Sequence, residues 1–400
     1  MERLVSKINI IDLVFFTMLA MFFTVPEHPV LYLVNNGLAA VFCILVLLDR
    51  RGNFQIYGFS VIYAVFSVLC FISYFYSINI SQSMIRIKST PLLLLLFCAG
   101  INYFSQEDNL QKFMFMYVGA ALISCGYLIV KENVFSGGVV GWAINNTNIV
   151  GTRFAFAVVF MLYFLLQRVK WWKILIAAVL VGFLFLTASR SSVVILAVSS
   201  VLLIVVAYRQ KKKSVMVALL VATALIFLFL YLIFHVELLY NVIGIRLEGA
   251  FSLIETGEGD SSAEKRVALM RYGWQTFREH PLFGQGINTF ISVTKQDLGF
   301  RAYSHNNYLE LLVGVGLVGT LSYYLLPVTL LWNSFRMMGP GKKSAMPGAL
   351  VLSLLGGMFT SDFFTVNYYS KTMILIYMFA GAVCIKYSED RYCNGTCHKV

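Results

Sequence analysis

The chain has 400 residues, of which 59% are hydrophobic and only 12% charged, and its formal net charge is +12. Soluble domains average roughly 45–50% apolar and about 25% charged residues, so a soluble globular protein is excluded and an integral membrane protein indicated. The positive balance does not indicate nucleic acid, because that function needs cations gathered on one soluble face, whereas here they punctuate apolar runs.

Runs long enough to cross a bilayer, about 20 residues each, recur from end to end. Reading them against the charged punctuation gives twelve expected spans, at 8–25, 30–48, 56–77, 88–104, 112–130, 150–167, 172–188, 191–207, 214–235, 306–331, 347–364 and 371–386. The expected architecture is an all-α polytopic membrane protein with one membrane domain over 1–400. The first run ends at VPEHP rather than at a small-residue cleavage site, so it reads as a first transmembrane helix rather than a signal peptide. An even number of spans puts both termini on one side. Lys and Arg favour one set of alternate loops by about three to one once the long loop is set aside, which places both termini in the cytoplasm. Five cysteines (Cys43, Cys70, Cys98, Cys125, Cys384) fall inside apolar runs and read as small core residues. The tail holds Cys393, Cys397 and His398, three groups where a zinc site ordinarily uses four.

Connections are short except over 236–305, an external loop between the ninth and tenth spans, and a loop of that length in a compact domain is usually functional. Within it, Ser261 and Glu264 suit a capping box. Val267, Met270, Trp274 and Phe277 follow at helical spacing, so an amphipathic helix of about 262–279 is expected on the membrane surface. HPLFGQG ends it, with Pro281 as a stop and Gly284 and Gly286 permitting a tight turn.

Four polar features mark the external ends of spans. Arg190, in LTASRSSVV, sits in a tight turn between the seventh and eighth spans. It either snorkels to headgroup phosphate or offers a fixed guanidinium to an anionic ligand. The loop helix carries Lys265, Arg266, Arg271 and Arg278; Arg271 and Arg278 share a face, and Arg266 lies on another. These cations are external, where topology gives no reason for them. YSHNNYLELLVGVG opens the tenth span. A helix starting near Ser304 puts His305, Tyr308 and Leu312 on one face and pairs Asn306 with Glu310, while Gly314, Gly316 and Gly319 let another helix approach closely. A polar helix top of this kind faces protein or a wet cavity rather than lipid, and an imidazole there suits a general base toward a sugar hydroxyl. Asp362, ending the eleventh span, either pairs with Lys371 or an external arginine or orients a catalytic group. A Walker loop, HExxH, GxSxG and a DxD-like acidic pair are all absent from the sequence, so a soluble nucleotide donor is not supported.

In order, spacing and side of the membrane, the TASRS turn, the basic loop helix, the hPLxGxGxxxF element of EHPLFGQGINTF and SHNNYLELLVGVGLVG resemble the O-antigen ligase and O-antigen polymerase superfamily of bacterial surface-polysaccharide enzymes, over roughly 150–365. The resemblance implies a GT-C-like fold in the bacterial inner membrane and a metal-independent, inverting glycosyltransferase without cofactor. Its members take a glycan from a polyprenyl diphosphate carrier at the external face and pass it to an acceptor sugar hydroxyl. Carried over by position, Arg190, Arg266 and Arg271 contact the donor diphosphate, His305 activates the acceptor hydroxyl, and Asp362 supports them. The partners implied are a polyprenyl-diphosphate-linked oligosaccharide, an acceptor glycan, membrane lipid, and a chain-length regulator and flippase; nucleic acid is not among them. A capsule or O-antigen repeat-unit polymerase is the reading preferred. A ligase that attaches the glycan to lipopolysaccharide core or protein shares the motifs, and a twelve-helix transporter is the alternative of another class, although such proteins usually place their ionisable groups at the bilayer midplane.

Overall fold

The structure is a computed structural model and describes residues 8–25, 29–106, 108–132, 134, 139–210, 261–339 and 342–396. Among them the only regular secondary structure is helical. In chain order the helices are α1 (Ile10–Thr24), α2 (Pro29–Asp49), α3 (Gly58–Ser73), α4 (Ile80–Ile87), α5 (Thr90–Phe104), α6 (Asn109–Lys131), α7 (Thr147–Gln167), α8 (Trp171–Leu186), α9 (Arg190–Gln210), α10 (Ser261–Glu279), α11 (Phe290–Leu298), α12 (Asn307–Met337), α13 (Ala345–Asp362) and α14 (Lys371–Thr396). Each expected span has a helix in its place except 214–235, which lies outside the described residues, as do the side chains of the Ser261–Glu264 capping box and the cysteine-bearing tail. By length and composition, 6 stretches among the described residues can cross a membrane: α2, α4 with α5, α6, α7, α9 and α12. The helices α1, α3 and α8 are apolar but shorter.

Hydrophobicity all round a helix calls for burial on every side, and α7, α13 and α14 meet that condition, α13 being buried at most positions from Ala345 to Leu355. From Lys371 to Ile385, α14 is buried at nearly every position, and α7 is buried from Val150 to Phe164 with little interruption. Aromatic rings fill the space between them, with Phe379 stacked on Phe113 at 5.0 Å and edge-on to Phe160 at 5.2 Å. At the periphery α2, α3 and α8 leave apolar side chains such as Leu33, Leu48, Val65, Val68, Trp171 and Leu175 exposed, as helices facing lipid do. Cys43, Cys70, Cys125 and Cys384 are buried and Cys98 partly so, in keeping with a packing role.

Polar groups cluster at the helix ends. At one end Asn9 caps α1 and exchanges hydrogen bonds with Asp12, whose carboxylate also accepts from Lys112 Nζ and the Tyr103 hydroxyl, each at 2.7 Å. Lys173 donates to the last carbonyls of α7, at Phe164 and Arg168. The end of the bundle that holds His305 is organised quite differently.

Candidate active site

His305 lies just outside α12, not on its first turn as the spacing suggests. Asn306 is the N-cap, its side chain accepting from the Leu309 N–H at 3.0 Å, which is the standard way of satisfying an orphan donor at a helix start. Glu310 does not pair with the Asn306 side chain. Its Oε2 passes the cap and accepts the backbone N–H of Ser304 at 3.1 Å. Ser304 Oγ in turn donates to the Asn306 carbonyl at 2.7 Å and accepts the Asn306 N–H at 3.2 Å. The chain is thus tied on both sides of His305, which is held at φ 54°. That left-handed conformation costs a non-glycine residue about 1–2 kcal/mol, and the surrounding bonds keep it there.

The glycines downstream seat a loop rather than a helix. Gly316, at φ 65° and ψ −168°, interrupts α12, and the broken turn accepts the HPLFGQG segment. Gln285 and Gly286 donate to the carbonyls of Val313 and Gly314 at 2.9 and 2.8 Å, while Leu317 and Val318 donate to those of Pro281 and Leu282 at 2.8 and 3.1 Å. A Cβ on Gly316 would fall 2.3 Å from the Leu282 oxygen, and one on Gly284 would fall 2.6 Å from the Gly314 carbonyl carbon. Backbone meets backbone, so no side chain fits. On its other side the segment is pinned to the end of α3 and to α4, with Tyr76 donating to the Phe283 carbonyl at 2.8 Å and Ser83 to that of Ile287 at 2.6 Å.

α10 forms as expected and docks on α12 through Leu269 and Gly273, where Leu269 joins Phe290, Leu309 and Val313 in a small core. A Cβ on Gly273 would meet Leu309 at 2.5 Å. Val267, Met270 and Trp274 stay exposed on the outer side, with Arg271 and Arg278 also exposed. Arg266 falls at helical spacing with Leu269 and Gly273 and is half-buried, so it is carried toward His305. The imidazole is driven down to about 4 by burial and then by the nearby Arg266 charge, so it is neutral at physiological pH. Tyr303 packs against the ring at 4.1 Å between centroids, tilted by 37°, and burial raises its phenol, against the pull of Arg266.

The Tyr303 hydroxyl also receives the Asn146 side chain at 3.4 Å, which connects His305 to the start of α7 and from there to the Arg190 turn. Asn146 caps α7, and Asn148, two residues on, accepts from Ser189 Oγ at 2.8 Å. Ser189 and Ser192 Oγ atoms lie 2.7 Å apart, and Ser192 donates to the Asn148 carbonyl at 3.2 Å. The serines of TASRSS therefore fasten the turn to α7, and half-buried Arg190 is the first residue of α9.

Asp362 is fully buried among neutral donors, taking the Tyr324 hydroxyl at 2.8 Å and Asn367 Nδ2 at 2.7 Å. Lys371, its expected partner, instead donates to Asn35 and Asn36. The network leads back to the α12 start: Asn307 donates to Tyr324 at 3.1 Å and accepts the N–H groups of Asn367 and Tyr368 at 2.8 and 2.9 Å. Asp362 thus stands two hydrogen bonds from Asn307, at the start of the segment that follows His305.

Residues 175–324 match the family described as O-Antigen ligase. This segment belongs to the O-antigen ligase and O-antigen polymerase superfamily. No curated protein matches the chain. The superfamily segment runs from α8 into α12 and takes in Arg190, Arg266, Arg271, His305 and the Gly316 break, leaving Asp362 outside. With the apolar helices, it supports a multi-pass bacterial membrane protein of surface-polysaccharide biosynthesis, with an O-antigen ligase or polymerase type of function. Within it the structure brings Arg266, Tyr303 and His305 together, links the Arg190 turn to them through Asn146 and Asn148, and leaves Arg271 on the outer side of α10. Outside it Arg86, Arg153 and Lys371 line one cavity, and Arg86 and Arg153 carry no reading from the sequence. The available signal was Arg153, a charge set inside an otherwise apolar span.

Proposed function

We propose that the chain is a metal-independent, inverting glycosyltransferase of twelve spans and GT-C-like fold. Both termini are cytoplasmic, and the chain moves a glycan from a polyprenyl diphosphate to an acceptor sugar hydroxyl at the external membrane face. The observation that carries this reading is the neutral, half-buried His305 beside the Arg266 guanidinium, with its backbone clamped on both sides. In the reaction the acceptor oxygen attacks the anomeric carbon and the imidazole takes its proton. The bond from that carbon to the diphosphate oxygen breaks with inversion, and the leaving diphosphate carries the electron pair away.

Arg266 and Arg190 stabilise the charge that develops on the departing oxygen, as preorganised donors do in a site shielded from water. The low basicity of His305 without substrate suits this order of events. A diphosphate bound at Arg266 offsets the guanidinium charge, so the imidazole gains affinity for a proton once the donor is in place. Asp362 supports the geometry through Tyr324 and Asn307.

The preferred acceptor is a second lipid-linked repeat unit, making the chain a polymerase working with a chain-length regulator and a flippase. The test is purified protein incubated with a lipid-linked repeat unit alone. Chain growth lost in His305→Ala and Arg190→Ala supports the reading. Growth unchanged in both variants would discard the catalytic assignment, and growth only on added lipopolysaccharide core or protein would make the chain a ligase.

A further inference from the structure

The HPLFGQG segment turns its backbone inward and its apolar side chains outward. Beyond the bonds that seat it in the α12 break, Gly284 donates to the His280 carbonyl, Ile287 donates to Ser73 Oγ, and the Gln285 carbonyl accepts the Ile78 N–H, each at 3.1 Å. Every N–H from Gly284 to Ile287 thus has a protein acceptor, and the carbonyls of Pro281, Leu282 and Phe283 are taken by Leu317, Val318 and Tyr76. Leu282 and Phe283 nonetheless stay 56% and 57% exposed. Non-helical backbone is tolerated at membrane depth only where protein satisfies its polar groups, because lipid offers them no partner. A loop in water needs no such provision, and two adjacent large apolar side chains gain nothing by facing water.

Two measures put the segment below the membrane edge. α12 has 31 residues, about 46 Å at the usual rise per residue, which exceeds a hydrocarbon core of about 30 Å by about 8 Å at each end; its ends are polar, at Asn307 and Arg336. The backbone groups that receive the loop, from Val313 to Val318, lie about 9 to 16 Å from Asn307 by the same rise, and so inside that core. α3 gives the second measure. It runs antiparallel to α12, with Phe66 packed on Tyr323 at 5.0 Å and Ser73, about two turns further on, bonded to Ile287, which lies against Gly314. At this level α3 exposes Phe71, Ile72 and Phe75, an apolar strip that continues the lipid-facing Val65 and Val68. Tyr76 follows and holds the Phe283 carbonyl, so Leu282 and Phe283 extend the strip.

We propose that HPLFGQG is a re-entrant membrane element whose Leu282 and Phe283 insert among the acyl chains of the leaflet nearer His305. The exposed Arg278, Glu279 and His280 just before them stay at headgroup level, and Pro281 turns the chain down from there. Bilayer lipid is the partner of this surface, and it holds the broken α12, with the His305 segment above it, at a fixed depth. The long external loop therefore dips back into the membrane before α12 begins. This placement holds whatever reaction the chain catalyses.

Phe283→Trp, which keeps an aromatic ring at the position, tests this in the full chain reconstituted into phosphatidylcholine liposomes. The emission gained over wild type, which carries five tryptophans, should lie to the blue of a water-exposed indole. Phosphatidylcholine brominated along its acyl chains should quench that gain, and iodide in the bath should leave it unchanged. A red-shifted gain, quenched by iodide and not by bromine, puts the segment in water and overturns the proposal. A gain quenched by neither means that protein, a second copy or another part of this chain, covers the surface, and overturns it as well. Should the indole disturb the loop, a nitroxide on Leu282→Cys gives an independent reading, in a chain whose seven native cysteines are changed to alanine. Its collisions with oxygen should exceed those with a water-soluble nickel chelate, as at a nitroxide on Val68→Cys, the lipid-facing control on α3. The reverse order at Leu282→Cys, with the control behaving as expected, overturns the proposal.

Discussion

Glu310 accepts the backbone N–H of Ser304 at 3.1 Å, reaching over the cap of its own helix to hold the residue on the far side of His305. A buried carboxylate is thereby spent on backbone geometry. Its effect on chemistry is indirect, through the left-handed conformation it imposes on the histidine between the two anchors. An interaction of this kind controls where the imidazole stands and leaves substrate affinity alone.

Glu310→Ala should therefore lower kcat by about a hundredfold, the scale on which an error of about 1 Å in placement acts, with KM little changed. Glu310→Gln keeps an oxygen that can accept from Ser304 and should stay within about tenfold of wild type by the same positional argument. Steady-state chain growth on a lipid-linked repeat unit separates the two variants. Equal losses in both would show that the charge, not the clamp, matters.

The backbone of His305 supplies a second test. Because glycine enters the left-handed region without a Cβ penalty, His305→Gly should unfold at a higher temperature than His305→Ala, by a difference of about 1 kcal/mol, while both lack transfer. Thermal unfolding in detergent measures the first effect and chain growth the second. A glycine variant less stable than the alanine variant would mean that glycine's larger loss of backbone entropy on folding outweighs the relief of strain.

How far the sequence could be read depended on where the information lies. Apolar runs broken by charge placed the helices, because span length is set by the bilayer and written in composition. The amphipathic loop helix was legible from its 3–4 spacing, and Arg266 and His305 could be singled out as polar groups costly to place at a membrane edge. The glycines of the α12 run read as a seat for another helix, whereas they seat a loop: hydrogen bonds between 281–286 and 313–318 are made by backbone, which has no letter in the sequence. α4 and α11 are too short to announce themselves by periodicity. That Arg86, Arg153 and Lys371 line one cavity is not legible, since only the fold brings residues from three distant parts of the chain together.

The loop insertion is itself a prediction. Gly316→Ala would place a Cβ 2.3 Å from the Leu282 oxygen at φ 65°, so either the backbone pairing opens or α12 straightens. The expected cost is about 1–3 kcal/mol, from strain at a special backbone conformation. Gly284→Ala should behave alike, against the Gly314 carbonyl. Both variants should become sensitive to limited proteolysis near 281–286 and lose transfer in proportion. Unchanged digestion would indicate that the helix break does not depend on the glycine.

Transfer should survive removal of divalent metal. If Arg190 and Arg266 carry the leaving-group charge, millimolar EDTA leaves chain growth intact. Arg266→Lys, which keeps the charge but loses the planar fork suited to two phosphate oxygens, lowers it by about tenfold or more, the worth of one charge-assisted contact. Abolition by EDTA and rescue by added magnesium would assign that role to a cation instead.

The acid limb of the pH profile follows from His305. A histidine at its ordinary value near 6.5 would lose its action as a base through mildly acidic pH, whereas His305, at about 4, stays neutral until much lower. In kcat/KM, which reports the free enzyme, the acid limb should therefore lie well below that of an ordinary histidine. Arg266→Gln removes the second of the two causes of the depression, so its limb should move up toward neutrality even as its maximum falls. Stability carries the same sign. Because the folded value is depressed, the unfolded chain takes up a proton between about 6.5 and 4 that the folded one refuses, and wild type loses stability as pH falls through that window. His305→Ala lacks this contribution. Its unfolding midpoint should thus fall less steeply than wild type's across the same window, and parallel curves would place the histidine's proton in a different equilibrium from the one argued here.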